Sequence, residues 1–125
     1  MTAPNIETQN LARSCNEALI LSCLERGPMH GYQIALEIRE RGRGFFQFNY
    51  GTLYPILHAM EKNGLVKGTW SPASAPDAGD SKRDTRRKRK QYTLTAKGRH
   101  YAQQQRSSWR DFFAHFMRIL EVAET

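Results

Sequence analysis

Three successive segments of this chain carry apolar residues at helical spacing, and this order restricts the fold more than any other feature of the sequence. Two short segments typical of strands follow, and a long helical segment comes after them. A chain of 125 residues has room for one domain with one modest core. We therefore predict a mainly α-helical fold with a small two-stranded hairpin and a long last helix.

The first helix is predicted over residues 10–26 and stops at Gly27-Pro28. Its apolar residues recur every four positions: Leu11, Cys15, Leu19 and Cys23. The two cysteines lie about two turns apart, roughly 12 Å at 1.5 Å per residue, which is too far for a disulfide. We expect both thiols to be reduced and buried, as in a cytosolic protein.

The second helix is predicted from Gly31 to about Arg41, where the cluster 42–44 (Gly-Arg-Gly) stops it. Its predicted buried positions are Ile34, Ala35, Leu36 and Ile38. The next stretch, Phe45-Phe46-Gln47-Phe48, alternates apolar and polar residues only briefly. We interpret it as an extended linker that holds aromatic side chains in the core.

The third helix carries Leu53, Ile56, Leu57 and Met60 on one face and stops at Asn63-Gly64. Asn49 and Thr52 are both suitable N-caps. With Thr52 as the cap, Pro55 lies in the first turn, where its missing N–H does no harm. With Asn49 as the cap, the helix has to tolerate a lost hydrogen bond at Pro55. The sequence leaves both alternatives open.

Residues 65–70 and 91–94 are predicted to form short strands. The connection 71–90 is rich first in Ser, Pro, Ala, Asp and Gly and then in Arg and Lys, and a connection of this length is typically functional or disordered. Thr95 is predicted to cap the final helix. The apolar residues of that helix keep close to helical spacing: Ala102, Trp109, Phe112, Phe113, Phe116, Leu120 and Ala123.

Three helices followed by a two-stranded hairpin is the arrangement of a winged helix-turn-helix. We therefore predict a winged helix-turn-helix DNA-binding domain over residues 10–94, within which residues 71–90 form a long basic wing. Residues 95–123 are predicted to form a C-terminal dimerisation helix.

The formal net charge of +7 favours a polyanionic partner, and much of the charge lies in the run Lys82–Lys90. Two interpretations are open: these side chains neutralise phosphates, or they form a solvated loop. An RNA-binding or membrane-surface patch is also open, although the run lacks the interleaved apolar residues of a membrane anchor. No apolar stretch approaches the ~18–20 residues of a membrane span, and residues 1–6 do not read as a secretory signal. We expect no membrane partner and a cytoplasmic location.

The outer face of the third helix is polar and aromatic, which suits insertion into a major groove of DNA. It presents Tyr54, Pro55, His58 and Lys62, with Tyr50, Gly51 and Thr52 at its leading end. The alternative is a surface helix with ordinary exposed polar residues, and periodicity alone does not decide between the two.

Three blocks of this sequence resemble the PadR-like transcriptional regulators. They are Leu21 through Pro28-Met29-His30-Gly31-Tyr32-Gln33-Ile34, then Gly51-Thr52-Leu53-Tyr54-Pro55-Ile56-Leu57 with Met60-Glu61-Lys62-Asn63-Gly64-Leu65-Val66, and Arg89-Lys90-Gln91-Tyr92-Thr93-Leu94-Thr95-Ala96-Lys97-Gly98. The blocks keep their order and cover most of residues 16–100, whereas the final helix matches only in pattern.

The resemblance implies a winged helix-turn-helix that dimerises through its C-terminal helix against its first helix and represses by occupying a palindromic operator. The implied DNA-binding residues are Tyr32, Gln33, Tyr50, Gly51, Thr52, Tyr54, Pro55 and His58. Asn49 and Lys62, at the beginning and on the outer face of the third helix, complete the predicted DNA-binding set. The wing falls on 83–90 and contributes Arg83, Arg86, Arg87, Lys88 and Arg89. This wing is several residues longer than the family's usual one.

The final helix displays more aromatic surface than a core of this size covers, and large exposed apolar patches usually mark interfaces. The predicted homodimer interface comprises Leu11, Cys15, Leu19, Trp109, Phe112, Phe113, Phe116 and Leu120. The resemblance adds an effector hypothesis, because some family members bind flat aromatic drugs between paired tryptophans and others respond to phenolic acids. On that hypothesis Trp109 and Phe113 bind a small aromatic effector; otherwise Trp109 is an interface aromatic without a ligand.

Catalytic and metal sites are not expected. The four histidines, His30, His58, His100 and His115, are scattered, and none lies at metal-ligand spacing from another His or Cys. The sequence contains no Gly-rich phosphate loop, nucleophile elbow or carboxylate pair. We therefore predict a DNA-binding protein without a cofactor, and not an enzyme.

Overall fold

The computed structural model describes residues 8–70 and 90–121. A 3₁₀ turn, Thr8–Asn10, leads into α1, Leu11–Leu24. The remaining elements follow in the order β1 (Met29–His30), α2 (Gly31–Arg41), α3 (Tyr50–Lys62), β2 (Val66–Trp70), β3 (Lys90–Leu94) and α4 (Ala96–Leu120). Each predicted helix and strand is present, with boundaries shifted by a few residues at most.

The core lies where the first three helices meet the inner face of the sheet. α3 contributes the apolar stripe that its spacing predicts, because side chains three or four positions apart share one face. In α1 the buried residues are Ile20, Leu21, Cys23 and Leu24, so of the predicted four-residue repeat only Cys23 is buried. The largest fully buried side chains are Ile20, Leu21, Ile34, Leu53, Leu57, Met60 and Tyr92.

The sheet has three strands in the order β1-β3-β2, so the prediction of a two-stranded hairpin was incomplete. β3 pairs antiparallel with β2, from Val66 opposite Leu94 to Trp70 opposite Lys90. The additional strand β1 pairs Met29 with Tyr92 on the other edge of β3. A two-residue strand is too short to produce a periodic pattern, which is why the sequence did not reveal it.

The chain reverses at residues 42–44, and the predicted linker that follows holds only one of its three aromatic side chains, Phe48, against the core. Arg43 has φ of 53° and Gly44 has φ of 78°, and the Gly44 N–H donates to the Arg39 carbonyl at 2.8 Å. This reversal leaves Phe45 81% exposed, while Phe48 packs against the core.

Leu36 in α2 was also misassigned to the core, since its side chain is 44% exposed. The buried residues of α2 are Gly31, Ile34 and Ile38, which are spaced three or four positions apart and share one face. Leu36 is two positions from both Ile34 and Ile38, and its side chain therefore points to the other side of the helix.

The start of α4 is fixed against the turn between α3 and β2. The Thr95 side chain accepts from the Gly98 N–H at 2.9 Å, which confirms the predicted cap. The Thr95 hydroxyl also donates to the Gly64 carbonyl at 2.7 Å. Gly98 lies so close to the Leu65 carbonyl that a β-carbon would overlap it. These contacts set the direction in which α4 leaves the sheet.

Both cysteines are free thiols, as expected from their separation on α1. Cys23 is buried, whereas Cys15 is only half-buried. Within residues 8–70 and 90–121, no helix is long and apolar enough to cross a membrane.

Candidate nucleic-acid interface

The first turn of α3 begins at Asn49, which decides between the two N-caps that the sequence left open. The Asn49 side-chain oxygen accepts from the Thr52 N–H at 2.9 Å. Pro55 therefore lies inside the helix, where it has no N–H to donate to the carbonyl four residues earlier. The Asn49 cap stabilises the N-terminal end of α3 and so offsets part of the free energy lost at Pro55.

The structure divides α3 into an inner and an outer face as the periodicity predicts. Leu53, Ile56, Leu57 and Met60 are buried. The outer face, including the cap, is exposed at Asn49, Tyr50, Gly51, Thr52, Pro55, His58 and Lys62. A polar and aromatic helix face that the described protein does not cover is available to an external surface.

Tyr54 differs from the expectation, because it is half-buried and packs against the core instead of pointing fully outward. Its phenol lies against Gly31 so closely that a β-carbon on Gly31 would overlap the ring and hydroxyl. On α3 its ring lies between those of Tyr50 and His58, with centroids 5.8 Å and 6.5 Å away. Tyr54 thus joins the first residue of α2 to the outer face of α3.

The start of α2 lies beside this face. The His30 N–H donates to the Gln33 side-chain oxygen at 2.8 Å, so Gln33 caps its own helix. Tyr32 is exposed and its ring is stacked on His30 with a centroid separation of 5.9 Å. His30 Nδ1 in turn donates to the Lys90 carbonyl at 3.2 Å, which ties the start of α2 to β3.

A groove of about 430 Å³ runs between α2 and the start of α3. It brings together three of the predicted DNA-binding residues: Tyr32 from α2, and Asn49 and Tyr50 from the start of α3. Arg39 contributes a cation to the same groove. The groove therefore joins the start of α3 to Tyr32 of α2 in one surface.

The predicted wing residues Arg83, Arg86, Arg87, Lys88 and Arg89 lie outside the described residues. Lys90, the last residue of the basic run, is described as the first residue of β3. Its Nζ lies 2.9 Å from Glu61 Oε1 in the last turn of α3 and 5.2 Å from the centre of the Trp70 ring. Sequence reasoning missed Glu61 and Trp70, although Glu61 belongs to the block Met60–Val66 that carries the resemblance.

A second concave region, which we name the α1–α4 cavity, lies between those two helices and has a volume of about 520 Å³. Its lining combines Cys15, Ala18, Leu19, Ser22 and Glu25 of α1 with Phe46 and with Ala102, Arg106, Trp109, Arg110 and Phe113 of α4. Four of the predicted interface residues thus meet there. Phe46 is a participant that sequence reasoning placed in the core.

Trp109 places a buried polar group, its indole N–H, at this cavity. Its indole Nε1 is buried and donates to no acceptor among the described residues. Its ring contacts Phe112 and Phe113, with centroid separations of 5.1 Å and 5.4 Å. A buried donor without an acceptor is unfavourable, so this position favours an acceptor supplied from outside the described chain.

The predicted interface residues that follow Trp109 on α4 form a mainly aromatic ridge, which we name the aromatic ridge and define as Phe112, Phe113, Phe116 and Leu120. Phe112 and Phe116 are stacked with their centroids 6.0 Å apart. Phe113, Phe116 and Leu120 are exposed, as is Leu11 at the start of α1.

Titratable groups in the core are held in their neutral forms. Burial raises the pKa of the Cys23 thiol to about 11 and that of the Tyr92 phenol to about 12, because the charged forms lose their hydration. Within the described part of the chain, no group of three or more His, Cys, Asp or Glu side chains lies together in a way that holds a metal ion.

Comparison with known proteins identifies the family and the fold of this chain. The family model described as "Transcriptional regulator PadR-like family" matches residues 20–104. A PadR family transcription regulator from Clostridium difficile is 30% identical with a TM-score of 0.67, and the match covers 83% of this chain and 96% of that chain. A PadR-like transcriptional regulator from Bacillus cereus is 25% identical with a TM-score of 0.68, covering 89% and 96%.

Bacillus subtilis PadR, whose crystal structure was solved in complex with operator DNA, is similar in fold. It is 22% identical with a TM-score of 0.57, and the match covers 71% of this chain and 45% of that chain. The family match extends from α1 into α4 and so includes α2, α3 and the sheet. Members of the family are regulators and not enzymes, in agreement with the sequence prediction. The chain therefore belongs to the PadR-like family of transcriptional regulators.

Proposed function

We propose that this regulator binds a palindromic double-stranded DNA operator as a homodimer and represses transcription by occupying it. The observation that carries the proposal is the outer face of α3, exposed from Asn49 to Lys62 while the opposite side of the helix is buried. A helix that is exposed along one side fits into a major groove of DNA. The backbone N–H groups of its first turn then lie near phosphate oxygens.

The charge distribution supports a nucleic-acid partner. The chain has a formal net charge of +7, and the predicted wing follows β2, which is adjacent to α3. Lysine and arginine side chains that neutralise phosphates supply affinity without reading sequence, while the outer face of α3 supplies the base contacts.

The aromatic ridge of α4 supports the homodimer. Exposed apolar side chains of this size are unfavourable in water, and a two-fold axis lets the same surface on two copies cover itself. A dimer also places two copies of α3 about 34–36 Å apart, on successive major-groove faces of one side of the duplex.

The proposal is tested by selecting duplexes from a random 30-base-pair pool with the full chain and measuring affinity for the selected and a scrambled sequence. We expect a palindromic selected sequence, bound about 10³-fold more tightly than the scrambled one. The variant His58→Ala should lose most of this preference, whereas His115→Ala, at the far end of α4, is the matched control.

Two other functions predict different results. A sequence-indifferent binder that relies on the basic run would select no sequence and would release all duplexes together as salt rises. A protein–protein adaptor with this fold would bind no duplex, and Tyr54→Ala with His58→Ala would leave its function intact.

We further propose that a small planar aromatic effector binds in the α1–α4 cavity and releases the operator. The apolar lining, the Trp109 ring and the buried indole N–H support this function. The chain has two tryptophans, so Trp70→Phe leaves Trp109 as the only indole emitter. Quenching by planar aromatic compounds in Trp70→Phe but not in Trp109→Phe is the expected result; equal quenching in both variants contradicts the proposal.

A further inference from the structure

We propose that Lys90 and Glu61 form a positioning pair that fixes the wing on the DNA-reading helix, so that Lys90 contributes to operator binding without contacting a phosphate. This inference rests on the proposed DNA-binding function. It assigns to the last residue of the basic run a role different from that of its neighbours, and it gives an acidic residue of α3 a favourable role in binding a polyanion.

The pair joins the two elements that meet the DNA in the proposal. Glu61 lies in the last turn of α3, and Lys90 is the first residue of β3, directly after the predicted wing residues. Lys90 Nζ donates to Glu61 Oε1 at 2.9 Å, and the two side chains are only 20% and 33% exposed. A pair that is partly withdrawn from water is screened less by salt than a fully exposed one.

The Lys90 ammonium is also held by aromatic rings. It lies 5.2 Å from the centre of the Trp70 ring and 5.7 Å from that of the Tyr92 ring. Trp70 is the direct cross-strand partner of Lys90, and Tyr92 lies two residues along the same strand and therefore on the same face. Cation–π attraction from two rings adds to the carboxylate and keeps the ammonium turned toward the protein.

Gly68 opens the path for this side chain. Gly68 is opposite Tyr92 in the sheet and lies on the face that Lys90 crosses to reach α3. A β-carbon at position 68 would overlap the end of the Lys90 side chain and would lie 3.1 Å from Glu61 Oε2. Glycine at this strand position permits close approach of the lysine, at the usual cost in strand stability. Gly68 of β2 thus leaves space for the pair that Lys90 of β3 forms with Glu61 of α3.

The proposed pair predicts a change in DNA affinity that is opposite in sign to the change expected from charge repulsion alone. An acidic side chain near DNA repels phosphates, so its neutralisation normally strengthens binding. If Glu61 holds the wing through Lys90, its neutralisation weakens binding instead. Similarly, a lysine that contacts phosphate contributes about 0.9 to the slope of log affinity against log salt, whereas a lysine held by Glu61 contributes nothing to that slope.

The test measures affinity and salt slope for the duplex selected by the wild-type chain. The variants are Glu61→Gln, Lys90→Met and the exchange of the two residues, Glu61→Lys with Lys90→Glu. We expect each single variant to bind about three- to tenfold more weakly with an unchanged salt slope, a loss of about 0.7–1.4 kcal/mol. The exchange should recover most of the affinity, because it rebuilds the pair in reverse.

Two controls have matched charge changes. Glu40→Gln removes an exposed acid from the end of α2 and should leave affinity the same or slightly higher. Arg89→Gln removes a predicted phosphate contact and should lower the salt slope by about 0.9. Because Glu61→Gln is isosteric and Lys90→Met keeps the side-chain stem, both variants should keep the far-UV circular dichroism spectrum of the wild type.

Unchanged or tighter binding by Glu61→Gln overturns the proposal, as does a salt slope that falls by about 0.9 in Lys90→Met. A wild-type chain that binds no duplex contradicts the proposed function itself. A wild-type chain that binds while Glu61→Gln behaves like Glu40→Gln contradicts only the positioning pair.

Discussion

The phenol of Tyr54 in α3 lies against Gly31, the first residue of α2, without space for a β-carbon between them. Tyr54 packs on the core, and its ring lies between those of Tyr50 and His58 on the outer face of α3. This contact therefore limits how closely the two helices of the helix-turn-helix can approach. Because Tyr32 begins the exposed face of α2 one residue later, the contact also aligns the two halves of the proposed DNA surface.

The first prediction concerns Gly31→Ala. Alanine suits the first turn of a helix, so without Tyr54 the substitution would be neutral or stabilising. With Tyr54 present, the ring has to move, and we expect a loss of about 1–3 kcal/mol in the free energy of unfolding. Urea denaturation measures this loss, and affinity for the selected duplex should fall with it.

A double-mutant cycle isolates the cause. In a Tyr54→Ala background the added methyl group of Gly31→Ala meets no ring, so its cost should shrink by about 0.5–3 kcal/mol. Equal costs in both backgrounds would show that the glycine is required for its backbone and not for its contact with Tyr54.

The second prediction concerns the Asn49 cap. Asn49→Ala leaves the Thr52 N–H without its side-chain acceptor, and we expect a loss of about 0.5–2 kcal/mol of stability. Asn49→Asp keeps the cap and suits the positive end of the helix, so stability should stay within about 0.5 kcal/mol of wild type. The same aspartate places a negative charge beside the proposed phosphate contacts, and its duplex affinity should fall. Stable protein with undiminished affinity in Asn49→Asp would place the DNA elsewhere.

The helices were predictable from sequence because their signals are local. The stripe Leu53, Ile56, Leu57 and Met60 and the cap at Thr95 each lie within a few residues along the chain. The strand β1 and the Lys90–Glu61 pair were not predictable, because each depends on a partner at least 29 residues away.

Two further errors concern the aromatic residues that follow α2. The exposed Phe45 and the cavity-lining Phe46 follow from the reversal at Arg43 and Gly44, whose positive φ values redirect the chain. That a residue is apolar predicts that its side chain is buried, but it does not predict which part of the protein covers the side chain. For Phe46 that neighbour is the α1–α4 cavity, which exists only after both helices are assembled.

The third prediction is alkaline destabilisation through Cys23. Burial raises the pKa of its thiol from 9.0 to about 11, so the folded chain keeps the proton where the unfolded chain releases it. The stability that the neutral thiol contributes is complete below about pH 9 and is lost as the pH rises toward 11. In this window the difference in unfolding free energy between wild type and Cys23→Ala should fall by up to about 1.4 kcal/mol per pH unit. A difference that is constant with pH would contradict the buried thiol.

The fourth prediction concerns the wing, whose arginines lie outside the described residues. Replacing Arg86, Arg87 and Arg89 together with alanine should weaken binding to the selected and scrambled duplexes by similar factors, because phosphate contacts carry little sequence information. The salt slope should fall by about 2 to 3, or about 0.9 per lost contact. Arg118→Ala, in the last turn of α4, removes one positive charge outside the wing and should leave the slope unchanged. A loss confined to the selected duplex would show that the wing reads bases.

The fifth prediction separates folding from dimerisation along α4. A chain that ends after Tyr101 lacks the buried residues Ala102 and Gln105 and the Arg106–Glu25 ion pair, so we expect an unstable product. A chain that ends after Arg110 keeps these contacts and Trp109 but loses the whole aromatic ridge, and it should fold as a monomer. Light scattering measures the mass, and circular dichroism checks the helix content. A stable dimer from the chain ending after Arg110 would show that two copies associate through a surface other than the ridge, and α3 would then lose the spacing that a palindromic operator requires.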